Sequence, residues 1–217
     1  NACGEAARWC LAADYNFGLL YSNKGHGLVY FSGTSAAAPQ VTTAAALVWS
    51  KYSWLTADQV RQVLLTNADY LDDGSGANKL YNSTTGWGRL DLEGSLKGIK
   101  LFSKEFGDKF DANVIGVSVF SNDIGGDAGL IKNGNGTLVL SGKNTYTGST
   151  SVKKGKLRVT GSITSPVTIN GAGVLSGNGN ISSVMNSGKV TTADGRLTVN
   201  GNYNQDGAGT LHYGLRQ

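Results

Sequence analysis

The chain has 217 residues, 40% of them hydrophobic and 16% charged, with a formal net charge of +4. That length holds one large domain or two smaller ones. No apolar run reaches the length of a membrane-crossing helix and no secretory leader pattern is present. Asn1 already stands inside a patterned segment, so we read the sequence as a piece of a longer protein.

The composition divides near residue 125. All four tryptophans (Trp9, Trp49, Trp54, Trp87) and both cysteines fall in the first ninety residues, whereas 19 of the 32 glycines lie between Gly125 and the end. Residues 1–124 carry 10 Lys and Arg against 12 Asp and Glu, and residues 125–217 carry 9 against 3. Two architectures share the chain.

In chain order, Cys3 and Cys10 come first. Six intervening residues do not fit the C-x-x-C spacing of a zinc or redox site, and no further cysteines or histidines stand nearby, so no metal is expected. The pair reads as a short-loop disulfide, which implies an oxidising compartment, or as two free core cysteines. Short apolar runs at Trp9–Ala13 and Gly27–Phe31 read as strands. His26, in Lys24-Gly25-His26-Gly27, reads as a surface-loop histidine.

The stretch Ser32-Gly33-Thr34-Ser35-Ala36-Ala37-Ala38-Pro39-Gln40-Val41 places a hydroxyl at the entrance of an alanine-rich helix. There a backbone N–H lacks an intrahelical acceptor and the helix dipole favours negative charge. Those are the needs of a nucleophilic serine with an oxyanion to stabilise. A plain N-cap by Thr34 or Ser35 is the alternative from position alone. The nucleophile elbow G-x-S-x-G fails at Ala37, and a phosphate loop would need a lysine beside the hydroxyl.

The string Gly33-Thr34-Ser35-Ala36-Ala37-Ala38-Pro39 ahead of a helix resembles the nucleophile motif of the subtilisin-like serine proteases. The resemblance implies that Ser35 is the catalytic nucleophile and that its backbone N–H supplies part of the oxyanion hole, with Gly33, Thr34 and Pro39 as supporting motif positions. It also implies that the family's Asp, His and oxyanion Asn lie upstream of the residues given. His26 is too near Ser35 to be that histidine, and its context is not the His-Gly-Thr of the family. No cofactor is implied.

The helix over 36–52 carries apolar residues at Val41, Ala45, Val48, Trp49 and Tyr52. Its many alanines suit close packing on several sides, so it is expected to be central. Pro39 is expected near the first turn, where no helical hydrogen bond is lost. A second helix begins at Thr56, where Thr56-Ala57-Asp58-Gln59 forms a capping-box pattern. Its apolar face comprises Val60, Val63, Leu64 and Ala68. Residues 72–85 read as a polar surface loop, followed by Gly86-Trp87-Gly88-Arg89-Leu90-Asp91. Helix, variable loop, Gly-x-Gly turn and last short helix, through about Leu101, follow the order in which subtilisin-like domains close. The segment Cys3…Trp9-Cys10-Leu11-Ala12 resembles the protease domains of autotransporters in particular.

Residues 102–124 read as a connector or as the strand that leads into the next domain, with Val114–Phe120 apolar enough for a strand. Beyond Gly125, Gly-x-Leu recurs at Gly136, Gly155, Gly173, Gly195 and Gly209, spaced 19, 18, 22 and 14 residues apart. Alternation continues through Leu140, Val159 and Val199. A period near twenty with short strands and Gly/Asn turns predicts a stacked β-solenoid, stabilised by stacking of coils over a thin aliphatic row. Gly129–Gly148 and Gly201-Asn202-Tyr203-Asn204-Gln205 resemble the passenger repeat of Gram-negative autotransporters. In that family the repeat forms a right-handed parallel β-helix ahead of a C-terminal outer-membrane β-barrel. Lys153-Lys154-Gly155-Lys156-Leu157-Arg158-Val159 alternates like the solvent face of a strand and lacks interleaved aromatics, so nucleic acid is not an expected partner.

The expected fold is thus α/β over residues 1–101, the C-terminal portion of a doubly wound parallel-sheet domain, then an all-β right-handed parallel β-helix over 125–217. The expected function is that of a subtilisin-like serine endopeptidase of an autotransporter, acting on protein or peptide substrates at the cell surface or after secretion. Its partners would be the upstream part of its own protease domain and the C-terminal barrel of the parent chain. The alternative is a non-catalytic adhesin or scaffold passenger with a degenerate protease segment.

Overall fold

The computed structural model describes residues 2–21, 27–72, 74 and 80–213, with 17–21 and 27–31 described as backbone only. The chain divides into two compact units: residues 1–53 with 57–96, and residues 54–56 with 97–217.

The first unit opens with a 3-10 turn, Gly4–Trp9, closed by a Cys3–Cys10 disulfide. Strands β1 (Asn16–Tyr21) and β2 (Gly27–Ser32) form an antiparallel hairpin in which Asn16 faces Ser32. Helices α1 (Thr34–Lys51), α2 (Ala57–Asn67) and α3 (Leu92–Leu96) follow. The hairpin is antiparallel, and the parallel contact described in this unit is the isolated Ala12–Arg89 bridge.

Helix α1 buries Ala36, Ala44 and Val48, with Tyr52 just beyond it, while Leu47 and Trp49 are each 45% exposed. Among the described residues it is therefore covered along one stripe, not on every side. Helix α2 starts directly after Thr56 and buries Val60, Val63, Leu64 and Leu65. In its first turn Asp58 pairs with Arg61 and accepts from Gln62 Nε2 at 2.7 Å. A short helix needs such local support because it makes few intrahelical bonds of its own.

The second unit is a parallel β-solenoid of about five turns. Its ladders begin with β3 (Leu101–Phe102), β4 (Lys109–Asn113) and β5 (Val117–Phe120). Next come β6 (Gly125–Gly126), β7 (Gly129–Asn133), β8 (Thr137–Leu140) and β9 (Lys143–Asn144). Each then stacks on its successor. Long strands β10 (Thr150–Val159) and β12 (Val167–Gly177) bend around a corner and serve two faces, alternating with β11 (Ser162–Ile163) and β13 (Asn180–Ile181). The last turns comprise β14 (Val184–Asn186), β15 (Lys189–Thr191), β16 (Thr198–Val199), β17 (Tyr203–Gln205) and β18 (Thr210–His212).

Register explains the core. Leu138, Leu157, Leu175, Val190 and Leu211 are in-line partners across successive coils. Four of the five Gly-x-Leu repeats sit on this row, but Gly195-Arg196-Leu197 does not. Its place is taken by Gly188-Lys189-Val190, and residues 192–197 loop outward before β16, where Val199 pairs with Ile181 on a third face. Leu157 and Val159 are buried, whereas Lys156 and Arg158, which alternate with them, are half-buried on the opposite face, as strand alternation requires.

Aromatic packing closes the first turns. Phe102 stacks on Phe110 at 5.3 Å and meets the edge of Tyr146 at 4.9 Å. Tyr146 is fully buried and its hydroxyl shares a 2.6 Å hydrogen bond with Thr150, which also bonds Ser165 at 3.1 Å. Burial pushes the Tyr146 phenol up to about 12, so it stays protonated.

Candidate active site

Ser35 is the second residue of α1 and is exposed. What places it there is Gly33, whose backbone takes φ of 101° and ψ of −177°, a region in which a residue with a Cβ is strained. Gly33 N–H is held by Tyr15 O at 2.8 Å, which ties the turn to the residue that precedes the hairpin. Gly33 C=O accepts from Ala36 at 2.9 Å and from Ala37 at 3.3 Å, so the helix is closed from Gly33 onward. The N–H groups of Thr34 and Ser35 point out of the helix start without a hydrogen bond to another described backbone group. That is the donor arrangement an anion meets at a helix N-terminus. No side-chain cap bond is made by the Gly33 position, and Thr34 and Ser35 lie inside the helix, not at its cap.

Pro39 is the sixth residue of α1, inside the helix, which corrects its expected place in the first turn. At that position a residue with an N–H would donate to Ser35 C=O, so the helix loses that bond. Nearby side chains return some order: Thr43 Oγ1 donates to Pro39 O at 2.8 Å, and Thr42 Oγ1 donates to Ala38 O at 3.1 Å. Gln40 Nε2 donates to Asp14 O at 2.6 Å and to Ala36 O at 3.2 Å, fastening the first turn to the segment before the hairpin.

The Gly-Trp-Gly turn anchors the rest of the unit. Trp87 is buried, its Nε1 donates to Arg8 O at 2.8 Å, and its backbone N–H donates to Cys10 O at 2.9 Å. Ala12 N–H reaches Gly88 O, and Leu90 N–H reaches Ala12 O, both at 2.7 Å. The disulfide loop and the turn are thus one hydrogen-bonded unit. Asp91 caps α3 by accepting Gly94 N–H at 2.9 Å.

Of the residues singled out by sequence, the structure joins Cys3 to Cys10 and places Gly33, Thr34, Ser35 and Pro39 on one turn and helix. His26 lies outside the described residues. Among the described residues no group of three or more His, Cys, Asp or Glu side chains is arranged to hold a metal.

The family comparison agrees with this arrangement. Residues 4–88 match the Subtilase family, and residues 130–159 match the passenger-associated-transport-repeat. Over 98% of its length the chain is 37% identical to the Neisserial autotransporter lipoprotein NalP of Neisseria meningitidis serogroup B, and 32% identical to an extracellular serine protease of Serratia marcescens. It spans 20% and 24% of those relatives. Over 48% of its length it is 35% identical to the adhesin BmaC autotransporter of Brucella suis biovar 1. The segment is that of a secreted or cell-surface passenger of a Gram-negative bacterium. Subtilase-family sequence leading into a passenger repeat, with these autotransporter relatives, supports a fragment of a subtilase-type autotransporter passenger.

Proposed function

We propose that the parent protein is a subtilisin-like serine endopeptidase in which Ser35 is the nucleophile. The observation that supports it is the exposed Ser35 at the start of α1, behind a left-handed Gly33 and beside outward N–H groups. In this reading Ser35 Oγ passes its proton to a histidine oriented by an aspartate and attacks the scissile carbonyl. The oxyanion takes the Ser35 N–H and an asparagine side chain, and water then hydrolyses the acyl-enzyme. The aspartate, histidine and asparagine come from upstream of these residues. Gly33, Thr34 and Pro39 shape the turn.

Residues 1–101 are then the C-terminal portion of the peptidase domain, 102–124 the strands that lead into the solenoid and pair with its next coil, and 125–217 the passenger repeats. The partners are peptide substrates, the upstream part of the same domain, and a C-terminal outer-membrane β-barrel.

Because removing the serine or the histidine of subtilisin costs on the order of 10⁶-fold in turnover, the 217 residues alone are expected to be inactive. A serine-directed fluorophosphonate is expected to label the full-length protein but neither its Ser35→Ala variant nor the 217-residue chain. Equal labelling of the full-length protein and its variant, or labelling of the short chain, overturns the assignment.

The match to a relative named as an adhesin favours a second reading, a non-catalytic scaffold passenger. It requires that the upstream residues lack the aspartate, histidine and asparagine, and that full-length protein stays unlabelled.

A further inference from the structure

Five Asn-Gly pairs occur in the repeat region, at Asn133, Asn135, Asn170, Asn178 and Asn200. One stands apart in its surroundings. On the β10–β12 ladder Val152 faces Ile169, and the next pair is Lys154 with Ala172. Asn170 and Gly171 therefore stand opposite the single Lys153, as a β-bulge at the solenoid corner. On the other side β12 pairs with β14 only as far as Ile169 and with β15 only from Val174. The two residues thus have no ladder partner on either side.

Both are exposed, and a Cβ placed on Gly171 would meet nothing within 4 Å. At the other four pairs the glycine is walled in. A Cβ would come within 2.3 Å of Val114 O at Gly134, 2.4 Å of Gly116 O at Gly136, 2.1 Å of Gly161 O at Gly179 and 2.6 Å of Ser182 O at Gly201. Gly136 and Gly179 are also tied by their N–H groups to Val114 O and Val159 O.

We propose that Asn170-Gly171 is a site of spontaneous covalent modification, where Asn170 deamidates through a succinimide. The Gly171 backbone nitrogen gives its proton to solvent base and attacks Asn170 Cγ. The new N–Cγ bond closes a five-membered ring, the Cγ–Nδ2 bond breaks, and the amide nitrogen leaves as ammonia. Water then opens the ring at either carbonyl to give an aspartyl or an isoaspartyl residue. One water is consumed and one ammonia released, with no change of oxidation state.

Ring closure requires the backbone after Asn170 to rotate until Gly171 N meets Cγ. Strand pairing and packed neighbours resist that rotation; Asn170 and Gly171 fall outside the paired registers on both sides, and the space beside Gly171 is open. Ser151 Oγ donates to Asn170 Oδ1 at 3.4 Å, on the carbonyl that is attacked. The product puts a carboxylate opposite Lys153, and the isoaspartyl form adds a methylene to the backbone where the bulge already interrupts the ladder.

The test is incubation of the intact protein at mildly alkaline pH and physiological temperature, with peptide mapping by mass spectrometry and isoaspartyl end-group labelling. Asn170 is expected to convert several-fold faster than Asn133, Asn135, Asn178 and Asn200 in the native protein, and at a similar rate to them in denaturant. Gly171→Val is expected to suppress conversion at Asn170. Equal native rates at all five sites, a faster rate at another site, or conversion at Asn170 undiminished in the variant overturns the proposal. The native-to-denatured comparison uses wild-type protein, so it stands even if the variant fails to fold.

Discussion

Lys132 is fully buried inside the solenoid, on the inward row between Ala112 and Val152. Its Nζ donates to three backbone carbonyls, Asn133 O at 2.6 Å, Lys154 O at 3.0 Å and Gly134 O at 3.1 Å. Carbonyls of two adjacent corners thus converge on one ammonium. Burial lowers its pKa from 10.5 to about 8. Below pH 8 the lysine is protonated folded or unfolded, and the folded state carries the desolvation cost. Between 8 and 10.5 the folded state sheds the proton while the unfolded chain keeps it, so stability rises with pH across that window. Against Lys132→Met, which cannot titrate, wild type should gain up to about 3 kcal/mol over this range. Urea unfolding at several pH values checks this, and a flat difference contradicts it. In Leu130-Ile131-Lys132 alternation alone leaves the phase open, and a lone reading would turn the isoleucine inward and the lysine outward. The coils on either side set the opposite phase, with Phe110 and Thr150 flanking Leu130. Ser35 was legible for the opposite reason: a seven-residue string determines its turn locally, whatever packs around it.

Elements whose boundaries are written by backbone chemistry could be read directly, and those set by stacking could not. The Gly-Trp-Gly turn belongs to the first kind. Gly86 and Gly88 have φ of 62° and 118°, and a Cβ would fall 2.0 Å from Cys10 O and 1.9 Å from Asp69 O. Alanine at either position has to move a backbone segment that is itself hydrogen-bonded, Cys10 to Trp87 and Asp69 to Arg89. We expect Gly86→Ala and Gly88→Ala each to cost roughly 2–4 kcal/mol, read as a lowered unfolding midpoint. Gly207→Ala, where nothing lies within 4 Å and φ is not positive, should stay within about 0.5 kcal/mol of wild type. Gly195-Arg196-Leu197 shows the second kind. It has the same letters as the true repeats, yet Val190 occupies the core row, paired with Leu175 on one side and Leu211 on the other. A repeat of one glycine and one aliphatic residue carries too little local information to fix which copy stacks.

The two units hold their cores in different ways, and this gives them different independence. In the solenoid each coil buries its aliphatic row against the coils on either side, through parallel ladders that fall between Leu101 and His212. Stability is then a sum of neighbouring contacts, which does not depend on a distant segment. In the first unit α1 and α2 leave a groove of about 570 Å³ lined by Trp9, Val41, Ala45, Trp49, Val60 and Leu64. Trp9 is braced by Arg61, whose guanidinium lies 4.2 Å from the ring centre, but Trp49 and Leu47 stay nearly half exposed. A contiguous apolar surface of this kind is a liability for a separate soluble domain. With fewer than a hundred residues, the unit also has little buried area with which to offset chain entropy. Residues 1–101 produced alone are therefore expected to bind a hydrophobic dye, to self-associate, and to melt without a cooperative transition. Residues 97–217 produced alone should unfold in a single transition, even though they lose the Trp54 ring on Phe120 and its 2.7 Å bond to Ser118 Oγ. Supplying the upstream protease residues in the same chain should restore cooperativity to the first unit, because an apolar groove loses its dye only when something covers it. A sharp melt of residues 1–101 alone would show instead that the disulfide loop, the Gly-Trp-Gly turn and three helices suffice, and that the open face of α1 is no defect in its stability.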